Sequence, residues 1–317
     1  MKSPSQVAYE KVQARLAKAP GMIEESERRL LFKAAFNSNG LPIVEFGAFF
    51  GASTVALACG AAARTTGQVP IFCIDAFEVD NDHNFHKYVL GYAQSVKAEK
   101  LLIKNNGKTN WLQITKAVLG KEQKMVNIIQ GLVDNKFDMT QLPPKIGLLH
   151  LDLPKDAQTL IPILKGAFPR LTDGSMIAFQ DYAYQLSNEL ISFFEILEKQ
   201  KYIKPISIAA SSMFYEVCTN KMKEIDLLNL LTESMNNQEI LIRDAITKYS
   251  SYSTARGQES IALYGAVIRS IIAQKDSGEF QQKEKIQKVI EKMYQINPSR
   301  AAFVLSDLIT EDIEQHR

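Results

Sequence analysis

Four acids stand at or near the ends of short apolar runs. Glu45 lies in Ile43-Val-Glu-Phe46, Asp75 follows Ile71-Phe-Cys-Ile74, Asp152 follows Ile146-Gly-Leu-Leu-His-Leu151, and Asp181 comes just after Met176-Ile-Ala-Phe179. Carboxylates so placed can accept hydrogen bonds from hydroxyl groups, hold a hard divalent cation, or simply cap the next helix. The first run leads into Gly47-Ala-Phe-Phe-Gly51, with Ser53-Thr54 following at a helix start. Glycines there let a ligand approach the backbone, and the helix N-terminus can donate to a negative group.

These residues need a scaffold that gathers them. The runs alternate with amphipathic stretches, and a further run, Val126-Asn-Ile-Ile129, lies between the second and the Asp152 run. That alternation predicts an α/β fold with a doubly wound, mostly parallel sheet, whose ligands gather at the carboxyl ends of the strands. Helices are predicted over Glu24–Phe36, Ser53–Arg64, Thr159–Phe168 and Ser187–Lys199, and closing strands over Pro205–Ile208 and Met213–Val217. Residues 1–220 are read as the domain that carries the site, with 79–124 a lid-like insertion. Residues 221–317 read as a helical C-terminal appendage.

Composition narrows the function classes. In 317 residues there are 37 Lys plus Arg against 35 Asp plus Glu, so no strong field would recruit nucleic acid or an anionic membrane. No leader and no apolar run of membrane-spanning length is seen, so a cytoplasmic protein acting on a small-molecule partner is expected. Cys59, Cys73 and Cys218 lack metal-site or disulfide spacing and are expected to be reduced core residues. The glycine loop is G-x-x-x-G and places Phe49 where a dinucleotide loop needs its second glycine, which argues against a nicotinamide cofactor. S-adenosylmethionine suits it better. That molecule has no phosphate, and its amino-acid end could meet Glu45, Gly47, Gly51 and Ser53. Asp75 could accept both ribose hydroxyls, with Ala76 and Phe77 along the adenine.

The segment Ile43-Val-Glu-Phe-Gly-Ala-Phe-Phe-Gly-Ala-Ser-Thr-Val-Ala-Leu-Ala58 resembles the first motif of catechol O-methyltransferases, and the spacing to Asp75 is similar. Ile128-Ile-Gln-Gly-Leu-Val-Asp134 resembles the adenine-holding segment of that family, which implies Gly131, Val133 and Asp134 beside the base. Leu151-Asp-Leu-Pro-Lys-Asp156 resembles its metal and base segment. Macrocin-type sugar O-methyltransferases show a related layout, including Tyr182 after the last acid. The likeness runs over roughly residues 20 to 218 and implies a Rossmann-like class I methyltransferase fold.

Asp152 and Asp181 end neighbouring strands and could share one Mg²⁺, with Gln180 as a third oxygen ligand. By resemblance these three occupy the family's ligand positions, although Gln180 replaces an acid. Asp152 also counts among the cofactor's neighbours, and Asp181 among the catalytic groups. Lys155 stands where catechol enzymes carry their general base; without the resemblance it reads as a solvated lysine. Pro154 and Asp156 depart from the macrocin pattern. The resemblance thus implies metal-assisted O-methylation of a hydroxyl on a small natural product, sugar or catechol-like molecule. The alternatives are a metal-independent enzyme of the same fold and a non-catalytic adenosyl-binding scaffold.

His150, inside its run, is expected to be a core histidine, and His83 and His86 to lie in a solvated loop or substrate lid. Phe85, Tyr88, Tyr92 and Trp111 could face a substrate or bury the insertion's own helices. The helical tail could cover the site, bind a partner or form a homo-oligomer.

Overall fold

The computed structural model describes residues 2–64, 67, 69–153, 156–252, 257–273 and 279–315. Its lead-in helices are α1 (Pro4–Leu16) and α2 (Glu25–Asn37). The reading from sequence passed over α1, which buries only Ser5, Tyr9 and Leu16 and so carries no continuous apolar stripe. In α2 the Glu24 and Glu27 side chains form a reciprocal capping box, which fixes where that helix begins.

The apolar runs become β1 (Ile43–Phe46), β2 (Ile71–Asp75), β6 (Val126–Gln130), β7 (Ile146–Leu151) and β8 (Leu171–Phe179). The chain then adds β9 (Ile203–Ala209) and β10 (Ser212–Val217). Together they form a seven-stranded sheet in the order β6-β2-β1-β7-β8-β10-β9. The first five in that order run parallel, and β10 is antiparallel to β8 and to β9. Winding reverses between β1 and β7, which is where an open α/β sheet leaves a crevice at its carboxyl edge.

Helices cover both faces. On one lie α1, α2, α3 (Ala52–Ala62) and α5 (Leu112–Leu119); on the other, α6 (Ala157–Gly166) and α7 (Asn188–Lys199). Phe193 and Phe194 of α7 are fully buried, each contributing roughly 2 to 3 kcal/mol by removal from water. The tail comprises α8 (Leu227–Asn236), α9 (Gln238–Tyr252), α10 (Gly257–Ala273), α11 (Glu279–Ile296) and α12 (Pro298–Gln315). Ile242, Tyr249, Ile261, Val267 and Val304 from these helices are buried in the same apolar cluster as the α7 phenylalanines.

The insertion builds a small antiparallel sheet from β3 (Glu78–Asp80), β4 (Ile103–Asn105) and β5 (Lys108–Asn110), ordered β3-β5-β4, beside α4 (Phe85–Ser95). Strands this short carry no readable period, and only helices were expected here. Cys59 and Cys73 are buried as anticipated, but Cys218 is exposed just past the end of β10, where the chain leaves the sheet. Among the described residues no helix is long and apolar enough to cross a membrane.

Candidate active site

The turn after β1 is built to let two chain segments touch. Gly47 has φ +89°, and a Cβ there would lie 2.1 Å from the Asp152 carbonyl oxygen. No side chain fits. Gly47 N–H donates to Ile74 O at 2.9 Å, and Asp152 N–H donates to Phe46 O at 2.8 Å, so the ladder continues past the strand ends. Gly51, at φ +92°, caps α3 in the left-handed region, where glycine has no steric penalty.

Asp75 ends β2 and straps this turn down. Its Oδ2 accepts the Ala48 and Phe49 N–H groups, both at 2.9 Å, and its Oδ1 accepts Phe77 N–H at 2.6 Å. Burial pushes its pKa up, against the pull of these three backbone donors. Asp75 still borders the cavity described below, but most of its acceptor capacity serves the loop rather than awaiting a ribose. Beyond β6, Gly131 N–H donates to Asp75 O at 2.9 Å and Gln130 Nε2 to Ala76 O at 3.0 Å, bringing the second and third turns together.

These turns open onto a cavity of about 660 Å³. Gly47, Asp75, Ala76, Gly131 and Val133 form one side; Asp152 and Asp181 line the floor. Of the residues expected at the cofactor, these are the ones the fold brings together. Glu45, Phe77, Ser53 and Asp134 are placed elsewhere. Phe77 is fully buried beneath the insertion with φ +51°, Ser53 is buried inside α3, and Asp134 accepts the Lys136 N–H within its own turn. Gly51 acts through backbone conformation at the start of α3 and is absent from the cavity wall among the described residues.

Glu45 is the hub of a buried polar chain. Its Oε2 accepts the Thr54 hydroxyl at 2.5 Å and its Oε1 lies 3.1 Å from His150 Nδ1. His150 Nε2 in turn reaches Gln180 Oε1 at 3.1 Å. Burial alone would lower the His150 pKa, but the hydrogen bond and charge of Glu45, with smaller help from Asp152 and Gln180, raise it and favour the imidazolium. His150 is therefore a core histidine, as its place inside the run implied. Glu45, expected at the cofactor, is not among the described residues that line the cavity, and both its carboxylate oxygens are engaged in this chain.

Gln180 is likewise displaced from its expected role. It is 3% exposed and turns toward His150, whereas Asp152 and Asp181 face the cavity. Of the three expected metal ligands, Asp152 and Asp181 meet at the cavity and Gln180 does not, and no group of three His, Cys, Asp or Glu that could hold a metal ion is found among the described residues. Lys155, the expected base, lies outside the described residues. Asp181 adopts φ +57° and accepts the Ser211 hydroxyl at 3.0 Å, and that hydroxyl is also 3.4 Å from Glu27 Oε1. Glu27 was missed from sequence. It is 3% exposed and accepts from Ser212, and burial first, then repulsion from Asp181 and Asp152, pushes its pKa up to about 7.

The insertion forms the opposite wall through Val79, His83, Phe85 and Trp111. Phe49, in the glycine loop with φ +47°, joins them edge-on, 5.5 Å from the Phe85 ring and 5.9 Å from Trp111. Its carbonyl accepts both Trp111 Nε1 at 3.1 Å and Thr115 Oγ1 at 2.8 Å. Trp111 thus belongs to the site rather than to the insertion's interior alone.

A family model described as a methyltransferase domain matches residues 44–182. Residues 44–182 are thus a methyltransferase domain by that match. The match begins in β1 and ends just past Asp181, so it holds the glycine loop, Asp75, the β6 turn and both acids of the cavity floor. Among solved structures, the chain is similar to the O-methyltransferase NovP, at 15% identity over 66% of this chain and 88% of that one, with a TM-score of 0.45. An O-methyltransferase from Bacillus cereus in complex with SAH shares 13% identity over 69% and 92% of the two chains, with a TM-score of 0.42. The TDP-rhamnose 3'-O-methyltransferase CalS11 shares 15% over 68% and 96%, with a TM-score of 0.38. No curated protein matches the sequence significantly.

Proposed function

We propose that this methyltransferase transfers the methyl group of S-adenosylmethionine to a hydroxyl of a small cytoplasmic molecule, without a bound divalent cation. The observation that carries this reading is that Gly47, Asp75, Ala76 and Val133 line one cavity together with Asp152 and Asp181. S-adenosylmethionine supplies a methyl on a sulfonium and leaves as the neutral thioether. Holding the acceptor oxygen in line behind that methyl is the protein's main task, and alignment of this kind is worth several kcal/mol of barrier. Asp152 and Asp181 supply carboxylates at the place where the hydroxyl must sit, and the Ser211 hydroxyl holds one Asp181 oxygen in position, which orients that carboxylate as the base. The proton of the hydroxyl passes to that carboxylate as the carbon–oxygen bond forms.

Gln180 is committed to His150, so of the three expected ligands only Asp152 and Asp181 would be offered to a divalent cation, with water completing its shell, and the metal-free form is the one put to the test. Calorimetric titration of S-adenosylhomocysteine, run with Mg²⁺ and with EDTA beside Ala76→Phe to fill the adenine side, tests the cofactor part, and turnover under the same two conditions tests the metal-free part. Binding that is equal under the two conditions and lost in the variant is expected. No binding at all would overturn the methyltransferase reading of the cavity. Binding or turnover that needs Mg²⁺ would overturn only the metal-free form.

A further inference from the structure

Asp181 is held in an uncommon backbone conformation by a turn packed against it. Its φ of +57° is one that a residue with a side chain keeps only where the surroundings impose it, and Ala210, in the turn between β9 and β10, stands at φ +46°. The two turns are laced together. Ala183 N–H donates to Ser211 O at 2.9 Å, and the Ser211 hydroxyl donates to Asp181 Oδ1 at 3.0 Å. The next residue, Ser212, donates to Glu27 of α2. Ser211 and everything after it lie beyond the residues that match the methyltransferase model.

The helical tail grips both turns. Tyr249 of α9 is 1% exposed, and its hydroxyl donates to the Ala210 carbonyl. Its ring stacks on that of Tyr182, with centroids 6.3 Å apart and planes inclined by 13°. Lys248, the residue before it, donates to Glu195 of α7, and the same Glu195 oxygen accepts the Tyr182 hydroxyl at 2.6 Å. Two successive residues of α9 thus reach the residue before Ser211 and, through Glu195, the residue after Asp181. Past these turns the cavity wall continues through Tyr184, Leu186, Asn188 and Glu189 to Arg269 of α10. Gln185 is fully buried and its Nε2 donates to Asp307 of α12, and a Cβ on Gly265 of α10 would stand 2.7 Å from the Gln185 Cβ. The segment that follows Asp181 is therefore packed against three helices of the tail.

A carboxylate that takes a proton as a bond forms is useful only where it is held in line, and a displacement of about 1 Å is enough to lose much of its effect. We propose that the helical tail sets the position of the base: Tyr249 is a positioning residue that holds the Ala210–Ser211 turn and, through the Ser211 hydroxyl, the Asp181 carboxylate beside the transferred methyl group. The inference rests on the methyltransferase reading of the cavity and on Asp181 as its base. Tyr249 itself is not among the described residues that line the cavity.

The test compares two ligands on the full-length protein by calorimetry: S-adenosylhomocysteine, and sinefungin, which carries an ammonium where S-adenosylmethionine carries its methyl. The ratio of the two affinities reads the carboxylate beside that ammonium, whereas a change that only loosens the fold lowers both affinities together. Wild type is expected to favour sinefungin, and Asp181→Asn to cut that preference ten-fold or more. Ser211→Ala and Tyr249→Phe should each cut it about three-fold or more with the affinity for S-adenosylhomocysteine unchanged, and the double variant should go no further than the larger single. An unchanged preference in Tyr249→Phe, or an equal loss of both ligands, would overturn the proposal. Should Tyr249→Phe not fold, Ser211→Ala decides, because a preference intact there breaks the same path. Wild type that binds S-adenosylhomocysteine but shows no preference sensitive to Asp181→Asn overturns it as well. If S-adenosylhomocysteine itself fails to bind wild type, the methyltransferase reading of the cavity falls first, and the two failures are told apart.

Discussion

His150 Nδ1 stands 3.1 Å from Glu45 Oε1, and the two side chains are 1% and 0% exposed. They are register partners on β7 and β1, the two strands between which the winding of the sheet reverses. With Thr54 and Gln180 they link α3, β1, β7 and the end of β8 through one buried chain of polar groups.

Breaking that chain at its centre leaves a carboxylate without its charged partner in the core. His150→Gln is expected to cost about 3 to 5 kcal/mol, while the Glu45→Gln, His150→Gln double variant costs less than the sum of the two singles. Urea denaturation of the four proteins in the cycle measures this. Additive losses would show that the pair is not coupled.

Glu27 gives the stability a sign with pH. Its ordinary pKa of 4.5 rises to about 7 in the fold, so between those values the native state keeps a proton that the unfolded chain releases. Stability contributed by the protonated group is fully present below pH 4.5 and is lost as pH rises through about 7, by about 3 kcal/mol in all. Glu27→Gln should flatten the curve and gain on wild type above neutrality. Denaturation midpoints at pH 5, 6, 7 and 8 decide it, and parallel curves would refute the assignment.

Gly47 has no room for a methyl group. Gly47→Ala combines a left-handed φ with a contact to the Asp152 carbonyl that backbone cannot yield, so a loss of at least about 2 kcal/mol is expected. S-adenosylhomocysteine affinity should fall ten-fold or more in the same variant by calorimetry. A fully stable variant with intact affinity would mean that the approach of the two turns is unimportant.

Trp111 is the single tryptophan of the chain, so fluorescence reports on one wall of the cavity. Titration with S-adenosylhomocysteine is expected to change its emission saturably. Thr115→Val removes one donor to the Phe49 carbonyl at a cost of about 1 kcal/mol and should weaken binding several-fold by the same signal. Emission that ignores the ligand would separate this wall from the cofactor.

Much of this arrangement is legible in the sequence because it is local. The β1 turn, Asp75 and the acids after β7 and β8 are read from apolar runs and the residues that end them, since a parallel sheet puts those ends on one edge. Side-chain direction at an edge is not local. Gln180 and Asp181 are neighbours, yet one turns to His150 and the other to the cavity, a choice made by a histidine on another strand. Glu45 ends among buried partners for the same reason. Glu27 carries a sequence signal, the capping box, but that signal speaks of helix initiation and is silent about Ser211 and Ser212, which arrive from β10 and the turn before it. Arg269 lies in a helix whose visible pattern is apolar burial, and only the packing of α10 on the Gln185 segment brings it to the site.

The carbonyl of Phe49 receives both Trp111 and Thr115, so the cofactor-side loop and the insertion share one acceptor atom. Neither can be displaced alone without forfeiting a hydrogen bond. A change of shape on one side of the cavity is therefore felt on the other through that shared acceptor.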